Sequence, residues 1–496
     1  MMVVKYKFKT KPYQHQETAL RKALGKREYG YFMEMGTGKS KVLLDELGML
    51  FQRGEVNFAL IIAPKGVYRN WVAKEIPEHL SDEIPNRVIR WVANPNKTQE
   101  KELRSVQDNF YGLTIFVMNV EAYSTVKGKK AGEWLGGAFG TFGLIAIDES
   151  TTIKNHKAKR SKNLVKIAEK FKYKRILTGS PITRSPLDIY QQCEFLRPGL
   201  LGHENYYSFQ GMYAVINKRT MGTHSFQQVV GYRNLDTLTN LLDLHSYRVL
   251  KKDCLDLPEK TYTARYVTLT DEQQIMYKKL QDEAMLLFDN GEMVTAPAVI
   301  TQLLRIQQVM SGHLKTDDGE MKYFQSNRMK ALEEILDEHD GKAIIWSRFR
   351  YDIIQIRRRL NEKYFGHDTA FGVAASFFGD TPDDARQNII EKFQDPNHKL
   401  RFFVGNPATA GYGLTLTEAN LVVYYANDFN LDTRQQSEDR CHRIGQKNRV
   451  TYVDLISEGT IDERIVESLR NKINLSAKVL GEEARQWLTL KPKKAY

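Results

Sequence analysis

An α/β protein of two lobes, each a parallel sheet flanked by helices, with a helical insertion and linker between them, is what this 496-residue sequence predicts. Three observations predict it. Short β-branched and aromatic runs recur in the first half, "FALIIA" (58–63), "RVIRWV" (87–92), "LTIFVM" (113–118), "FGLIAI" (142–147) and "KRILTG" (174–179). Helical or polar stretches separate them, the pattern of parallel strands joined by crossover helices. A second series, "KAIIWS" (342–347), "GVAASFF" (372–378), "RFFVG" (401–405), "LVVYYA" (421–426) and "TYVDLI" (451–456), repeats the arrangement. Between the two, residues from about 185 to 330 read mostly helical: in "DEQQIMYKKLQDEAMLLF", Met276, Leu280, Ala284 and Leu287 recur at three- and four-residue steps. A turn-rich connector, "GHLKTDDGEMKYFQSN" (312–327), leads into the second lobe.

The first element with chemistry in it is "YFMEMGTGKSK" (31–41), which nearly spells a phosphate-binding loop. Met33 stands where the usual pattern begins with glycine. A phosphate cradle needs inward N–H groups, an open approach, a lysine and a hydroxyl, and Gly36, Gly38, Lys39 and Ser40 supply these. The flanks suit it: "YGYFM" reads as a buried strand, and "KVLLDELGMLFQRG" as a helix stopped at Gly54. A glycine turn followed by a surface lysine is the other reading of the same stretch. Farther on, "GLIAIDES" is an apolar strand with Asp148 and Glu149 at its end. A nucleotide hydrolase needs such acids beside its loop, Asp148 for magnesium and Glu149 for the attacking water; two acids after a strand also suit a helix cap.

Composition bounds the rest. Hydrophobic residues make up 42% and charged residues 27%, a globular balance, and no apolar run reaches the roughly 20 residues that span a bilayer. The start, "MMVVKYKFKTKPYQ", has no apolar core of a secretion signal. Cys193, Cys254 and Cys441 lie far apart, against a disulfide framework or a structural zinc, so an intracellular setting is expected. The formal charge is +13, and residues 154–175 hold ten lysines and arginines against one acid, Glu169. That run is a candidate phosphate-contacting surface, Lys157, Lys159 and Arg160 foremost, or else a solvated helix face.

The chain as a whole has a family likeness. In this order, "MGTGKS", "IAPKGVYRNWVAKE", "IDESTTIKN", "RILTGSPITRSPLDIYQQCEFLRPG" and "HRIGQ" resemble the helicase-type motifs of the Swi/Snf family of ATP-dependent DNA translocases. "YRVLKKDCLDLPEKTYTARYVTLTDEQQIMYKKL" resembles the family's link between lobes, and "KAIIWSRFR", "FFGDTPDDARQNIIEKF" and "TAGYGLTLTEA" continue the match. The likeness covers most of residues 10 to 460. It departs at Met33, where an acid is usual, at Phe429 to Leu431, where tryptophan-asparagine-proline is usual, and at Gln436–Ser437, where glutamine-alanine is usual. These departures bear on subfamily rather than on ATPase chemistry.

The resemblance implies two RecA-like lobes, ATP and magnesium as cofactors, and a double-stranded or branched DNA partner. The implied boundaries are a first ATP-binding lobe at 1–250, a helical linker or protrusion at 251–330, a second lobe at 331–470 and a helical brace or tail at 471–496. Met35, Gly36, Thr37, Gly38, Lys39 and Ser40 form the implied nucleotide set, with Gln14 reading the adenine edge and Ser40 and Asp148 on the metal. Thr178, Gly179 and Ser180 would relay nucleotide state to DNA grip. Gly413 would lie at the lobe junction, and Arg440 and Arg443 would reach across to the γ-phosphate. Gln436, Arg440, Arg443 and Gln446 fall at four- and three-residue steps, which predicts one helical face. Further candidate DNA contacts are Lys65, Arg69, Asn70, Ser124, Ser347, Arg348 and Arg350. The expected protein is a compact, monomeric motor without accessory chromatin domains, moving on duplex DNA; a strand-separating helicase and an ATP-gated DNA clamp or recruitment module are the alternatives.

Overall fold

The computed structural model describes residues 6–470 apart from 66, 183–184, 222–223, 255–256, 290–295, 317, 370–371 and 411–413. The chain divides into two compact units, residues 1–256 and 257–496. No helix among the described residues is long and apolar enough to cross a membrane.

The first unit is built on a seven-stranded sheet. Its strands are β1 (Glu28–Met33), β2 (Phe58–Ala63), β3 (Asn86–Arg90), β4 (Leu113–Asn119), β5 (Gly143–Asp148), β6 (Tyr173–Leu177) and β9 (Ser246–Val249), in the order β3-β4-β2-β5-β6-β1-β9. Every described pairing in it is parallel. β2 and β5 are buried along their whole length, as both faces of a parallel sheet must be covered, whereas the edge strand β3 is partly exposed. Leu60, Ile62, Ile145, Ile147 and Phe116 present one face to Leu135, Leu164 and Ile167 of two crossover helices.

The helix Lys39–Gln52 follows β1 and buries Val42, Leu43, Leu44, Leu47 and Leu50. It stops where expected, Gly54 adopting φ 69°, a left-handed conformation that glycine takes without strain. Its inner face also carries Glu46, which meets Arg175 of β6 at 2.6 Å with both side chains fully buried. The Tyr31 hydroxyl donates to Glu46 at 2.8 Å, and Arg175 donates to the carbonyls of Lys26, Arg27 and Lys174.

The second unit holds a six-stranded sheet of β10 (Lys260–Val267), β13 (Lys342–Ser347), β14 (Ala374–Phe377), β15 (Phe402–Gly405), β16 (Ala419–Ala426) and β17 (Val450–Ser457), ordered β10-β17-β16-β13-β15-β14 and again parallel. Alternate residues feed two cores: Ala343 and Ile345 on one face, Ile344 and Trp346 on the other. The helices Asp271–Asp289 and Ala296–Ser311 bury Tyr277, Leu280, Ile306 and Val309 against Ile461, Ile465 and Leu469.

The stretch expected to be mostly helical departs from that expectation four times. β7 (Ala214–Met221) and β8 (His224–Tyr232) form an antiparallel hairpin, β9 joins the first sheet, β10 joins the second, and β11 (His313–Lys315) pairs with β12 (Met321–Tyr323) inside the connector. The cause is tertiary. "KTYTARYV" is rich in β-branched and aromatic residues, and all eight of its residues pair with β17, which supplies a ladder that local periodicity cannot show.

Glu46→Leu leaves the Arg175 guanidinium buried without its carboxylate, and is expected to destabilise the first unit by about 3–5 kcal/mol. The Glu46→Leu/Arg175→Met pair is expected to cost less than Glu46→Leu alone. Urea unfolding followed by circular dichroism measures both.

Candidate active site

β1, β6, β5 and β2 lie close together in the first sheet and run the same way, so the segments that follow them open on one edge. β1 ends at Met33, which is fully buried, so the position usual for glycine belongs to the strand and the loop begins at Glu34. The Glu34 carbonyl accepts from the Thr37 N–H at 3.2 Å, from the Thr37 hydroxyl at 2.7 Å and from Lys39 Nζ at 3.4 Å. Gly36 and Gly38 take φ 83° and 87°, turning the loop's N–H groups where side-chain-bearing residues would be strained. Met35 and Ser40 are half-buried, Thr37 and Lys39 buried.

The loop is held on two further sides. The Thr37 carbonyl lies 2.8 Å from His15 Nε2 and 3.0 Å from Gln16 Nε2, and a Cβ on Gly38 would run into that Gln16 amide. Gln14, the expected adenine reader, is exposed one residue before this pair. On the other side the Lys251 N–H donates to the Glu34 carboxylate at 2.6 Å and the Glu34 N–H to Val249 at 3.0 Å, fastening the "VLKKD" segment to the loop.

Asp148 closes β5. Its Oδ1 accepts from the Glu149 N–H at 3.0 Å and its Oδ2 from the Trp71 indole N–H at 2.9 Å. Burial, then the Glu149 charge, pushes the Asp148 carboxyl up to about 7, against the pull of Lys39. Glu149 sits at φ 50°, ψ 59°, a left-handed conformation that costs a non-glycine residue about 1–3 kcal/mol and recurs at functional sites. Two acids held together at the foot of the loop, one buried against its own charged form, are a donor set that fits a divalent cation. Asp148 and Ser40 are the residues that would hold it.

Thr178, Gly179 and Ser180 follow β6, between β5 and β1. Thr178 is buried and its hydroxyl accepts from the Ser180 N–H at 3.2 Å; a Cβ on Gly179 would stand 3.1 Å from the Met35 nitrogen. Gln192, fully buried, ties this segment to the acidic one: its amide donates to Pro181 at 2.7 Å and accepts from the Ser150 hydroxyl at 2.6 Å. Sequence reading passed over Gln16, Trp71 and Gln192. Trp71 and Gln192 stand inside the motifs quoted for the family and Gln16 two residues after Gln14, and only the fold shows what their side chains touch.

In the second unit the expected helical face is not formed. The helix Leu431–Glu438 carries Gln436 but ends before Arg440. The Gln446 amide donates to the Thr417 and Ala419 carbonyls at 3.0 and 2.8 Å, and Cys441 Sγ also meets Ala419, which draws residues 439–446 into turns over the start of β16. Arg440 and Arg443 still converge, on the Leu414 carbonyl at 3.5 and 3.1 Å. Gly413 lies outside the described residues.

The candidate DNA contacts divide. Lys65 and Arg69 are exposed, and the Asn70 amide donates to Glu75 at 3.0 Å. Ser124 and Lys159 line one concavity of about 640 Å³ with Lys129, Lys162 and Lys166, alongside Glu169 and Glu194. Lys157 and Arg160 do not line it. Ser347 is a correction: it is fully buried with its hydroxyl donated to Asp352 at 2.7 Å, so it presents nothing to a nucleic-acid backbone. Arg348 pairs with Asp428 at 3.4 Å and the exposed Arg350 with Asp380 at 2.5 Å.

Two parallel α/β units, the first carrying a glycine loop with its lysine and an acid pair at one sheet edge, define a two-lobed RecA-like core. A model of the SNF2-related domain matches residues 31–314 and one of the helicase conserved C-terminal domain matches residues 327–445, and the chain belongs to the SNF2-related family. It is 25% identical over 485 residues to an uncharacterized ATP-dependent helicase of Mycoplasma genitalium, covering 96% of this chain and 43% of that protein. It is 24% identical over 472 residues to a probable ATP-dependent DNA helicase of Arabidopsis thaliana, covering 90% and 39%. The chain thus spans less than half the length of these relatives. Among solved structures, the SWI2/SNF2 ATPase core of Sulfolobus solfataricus in complex with double-stranded DNA aligns over 99% of this chain and 97% of that one, with 24% identity and a TM-score of 0.41.

Gly38→Ala places a Cβ at φ 87° and against the Gln16 amide. It is expected to cost about 1–2 kcal/mol from the backbone alone and to weaken binding of a fluorescent ATP analogue. Gly38→Ala/Gln16→Ala removes the collision but not the backbone strain, so it is expected to recover only part of the loss.

Proposed function

We propose that this chain is a DNA-stimulated ATPase that translocates along double-stranded DNA, remodelling protein–DNA complexes or forked and branched DNA. The observation that carries this reading is the placement of the glycine loop with Lys39 and of the Asp148–Glu149 pair after β1 and β5, at one edge of the first sheet. Family membership supports it, as does the basic concavity that gathers Ser124 and four lysines.

In this reading the loop N–H groups and Lys39 bind the β- and γ-phosphates, and Gln14 meets the adenine. Ser40 and Asp148 would hold magnesium, which would supply positive charge against those phosphates. Glu149, held in a left-handed backbone conformation beside Asp148, orients the attacking water. Thr178 to Ser180, packed against Met35, carry the state of the loop toward the DNA-binding surface. Arg440 and Arg443 supply positive charge to the γ-phosphate in the hydrolysing state. Lysines 129, 159, 162 and 166 hold DNA by its phosphates, without reading sequence. Strand separation is the second reading, favoured by the β7–β8 hairpin, whose Val215, Val230 and Tyr232 are exposed.

ATPase rates with duplex, single-stranded, forked and branched DNA, alongside triplex displacement, test the reading. Displacement without unwinding of a plain duplex supports translocation; unwinding selects the helicase; neither, with tight ATP-dependent DNA binding, selects the clamp. Within this assay Lys39→Ala is expected to abolish hydrolysis and weaken nucleotide binding, Glu149→Gln to bind ATP and turn it over poorly, and Arg443→Ala to keep binding while losing roughly 10³-fold in rate. Separately, Lys159→Gln, Lys162→Gln and Lys166→Gln together are expected to weaken duplex binding and to flatten the dependence of log K on log salt by up to about 0.9 per lost phosphate contact. Fluorescence anisotropy across a salt series reads that slope.

A further inference from the structure

One buried polar contact at the site belongs to none of the roles above. The Trp71 side chain is fully buried, and its indole N–H donates to Asp148 Oδ2 at 2.9 Å, across 77 residues of sequence. A buried indole N–H needs an acceptor, and here the acceptor is the carboxylate assigned to the metal. The backbone around Trp71 is unusual as well. Residues Trp71–Glu75 form a single π-helical turn between the short helices Tyr68–Asn70 and Ile76–His79, with the Ile76 N–H donating to the Trp71 carbonyl. Such turns insert a residue into a helix, rotate the side chains before it relative to those after it, and recur at functional sites. The Asn70 amide, donating to Glu75 at 3.0 Å, spans the turn.

We propose that Trp71 is a positioning residue: its indole, aimed by the π-helical turn, fixes the Asp148 carboxylate in the orientation that takes the divalent cation. Asp148 Oδ1 is already held by the Glu149 N–H, so the indole is the second of two donors that pin the group at both oxygens. A pinned carboxylate loses less freedom when it binds a cation, which is how outer partners of metal ligands raise affinity. The inference rests on the assignment of Asp148 to the metal made above.

The test uses manganese as the probe and the full chain. Trp71→Phe keeps an aromatic ring and removes the N–H. Mn²⁺ binding in the presence of ADP, followed by electron paramagnetic resonance, is expected to weaken roughly 10–100-fold in this variant, while ADP binding in excess EDTA stays at the wild-type level. Asn70→Ala, which releases the π turn without opening the core, is expected to weaken Mn²⁺ binding in the same direction and by less; it also serves if Trp71→Phe does not fold. Unchanged Mn²⁺ affinity in the folded variants, or equal losses of Mn²⁺ and metal-free ADP affinity, overturns the positioning role. Absence of Mn²⁺·ADP binding by the wild-type chain overturns the nucleotide reading itself, a separate result.

Discussion

The buried guanidinium of Arg175 is the constraint on which the first unit depends. It lies on β6, between the strand that feeds the glycine loop and the strand that ends in the acid pair, and it takes the charge of Glu46 from the helix that starts at the loop. A charge removed from water is tolerable only when it is paired and its remaining donors are satisfied. Arg175 meets both conditions by also donating to the carbonyls of Lys26, Arg27 and Lys174, beside the start of β1. One residue thereby fixes the origin of β1, the axis of the helix Lys39–Gln52 and the position of β6 between β1 and β5. Lys41, Asp45 and Tyr6 repeat the device nearby: the ammonium and carboxylate meet at 2.8 Å, both buried, and the Tyr6 hydroxyl donates to Asp45.

At the opposite end of the same strands the balance is reversed. Asp148 and Glu149 stand side by side where burial disfavours the charge on Asp148, and Glu149 does so from a strained backbone. The rigid sheet makes that tolerable, because the strands it rests on are among the most buried in the unit. Around this pair the partners come from remote parts of the chain: Lys39 from the loop, Trp71 after β2, and Gln192, through Ser150, from the helix that follows Ser180.

The second unit places its arginines by a different economy. Arg434 is enclosed by Asp454 and Glu438, which it meets at 2.5 and 2.9 Å, and donates to Asn427 at 2.7 Å. That network anchors the helix Leu431–Glu438 against β16 and β17. The chain then leaves helical geometry, because Gln446 and Cys441 bind carbonyls at the start of β16 rather than solvent. Arg440 and Arg443 meet over Leu414 through that turn, so the convergence that helical spacing suggested arises from side-chain clamps instead.

Sequence alone determined what local chemistry dictates. Runs of β-branched residues marked strands of both sheets, and the glycines, Lys39, Ser40 and the acids after "GLIAI" marked the loop and the edge it needs. Even Gly54 was legible as a helix stop, since a left-handed terminus favours one residue type. What only the tertiary structure decided are contacts between residues far apart in the chain, which leave no period to read. "KTYTARYV" became a strand because β17 stood ready to pair with it. Ser347 was withdrawn from the surface by Asp352, and the helix before Arg440 was ended by carbonyls of β16. Trp71 and Gln16 gained meaning only when folding put their N–H groups against Asp148 and Thr37, because a hydrogen bond depends on position in space and the sequence records only order along the chain.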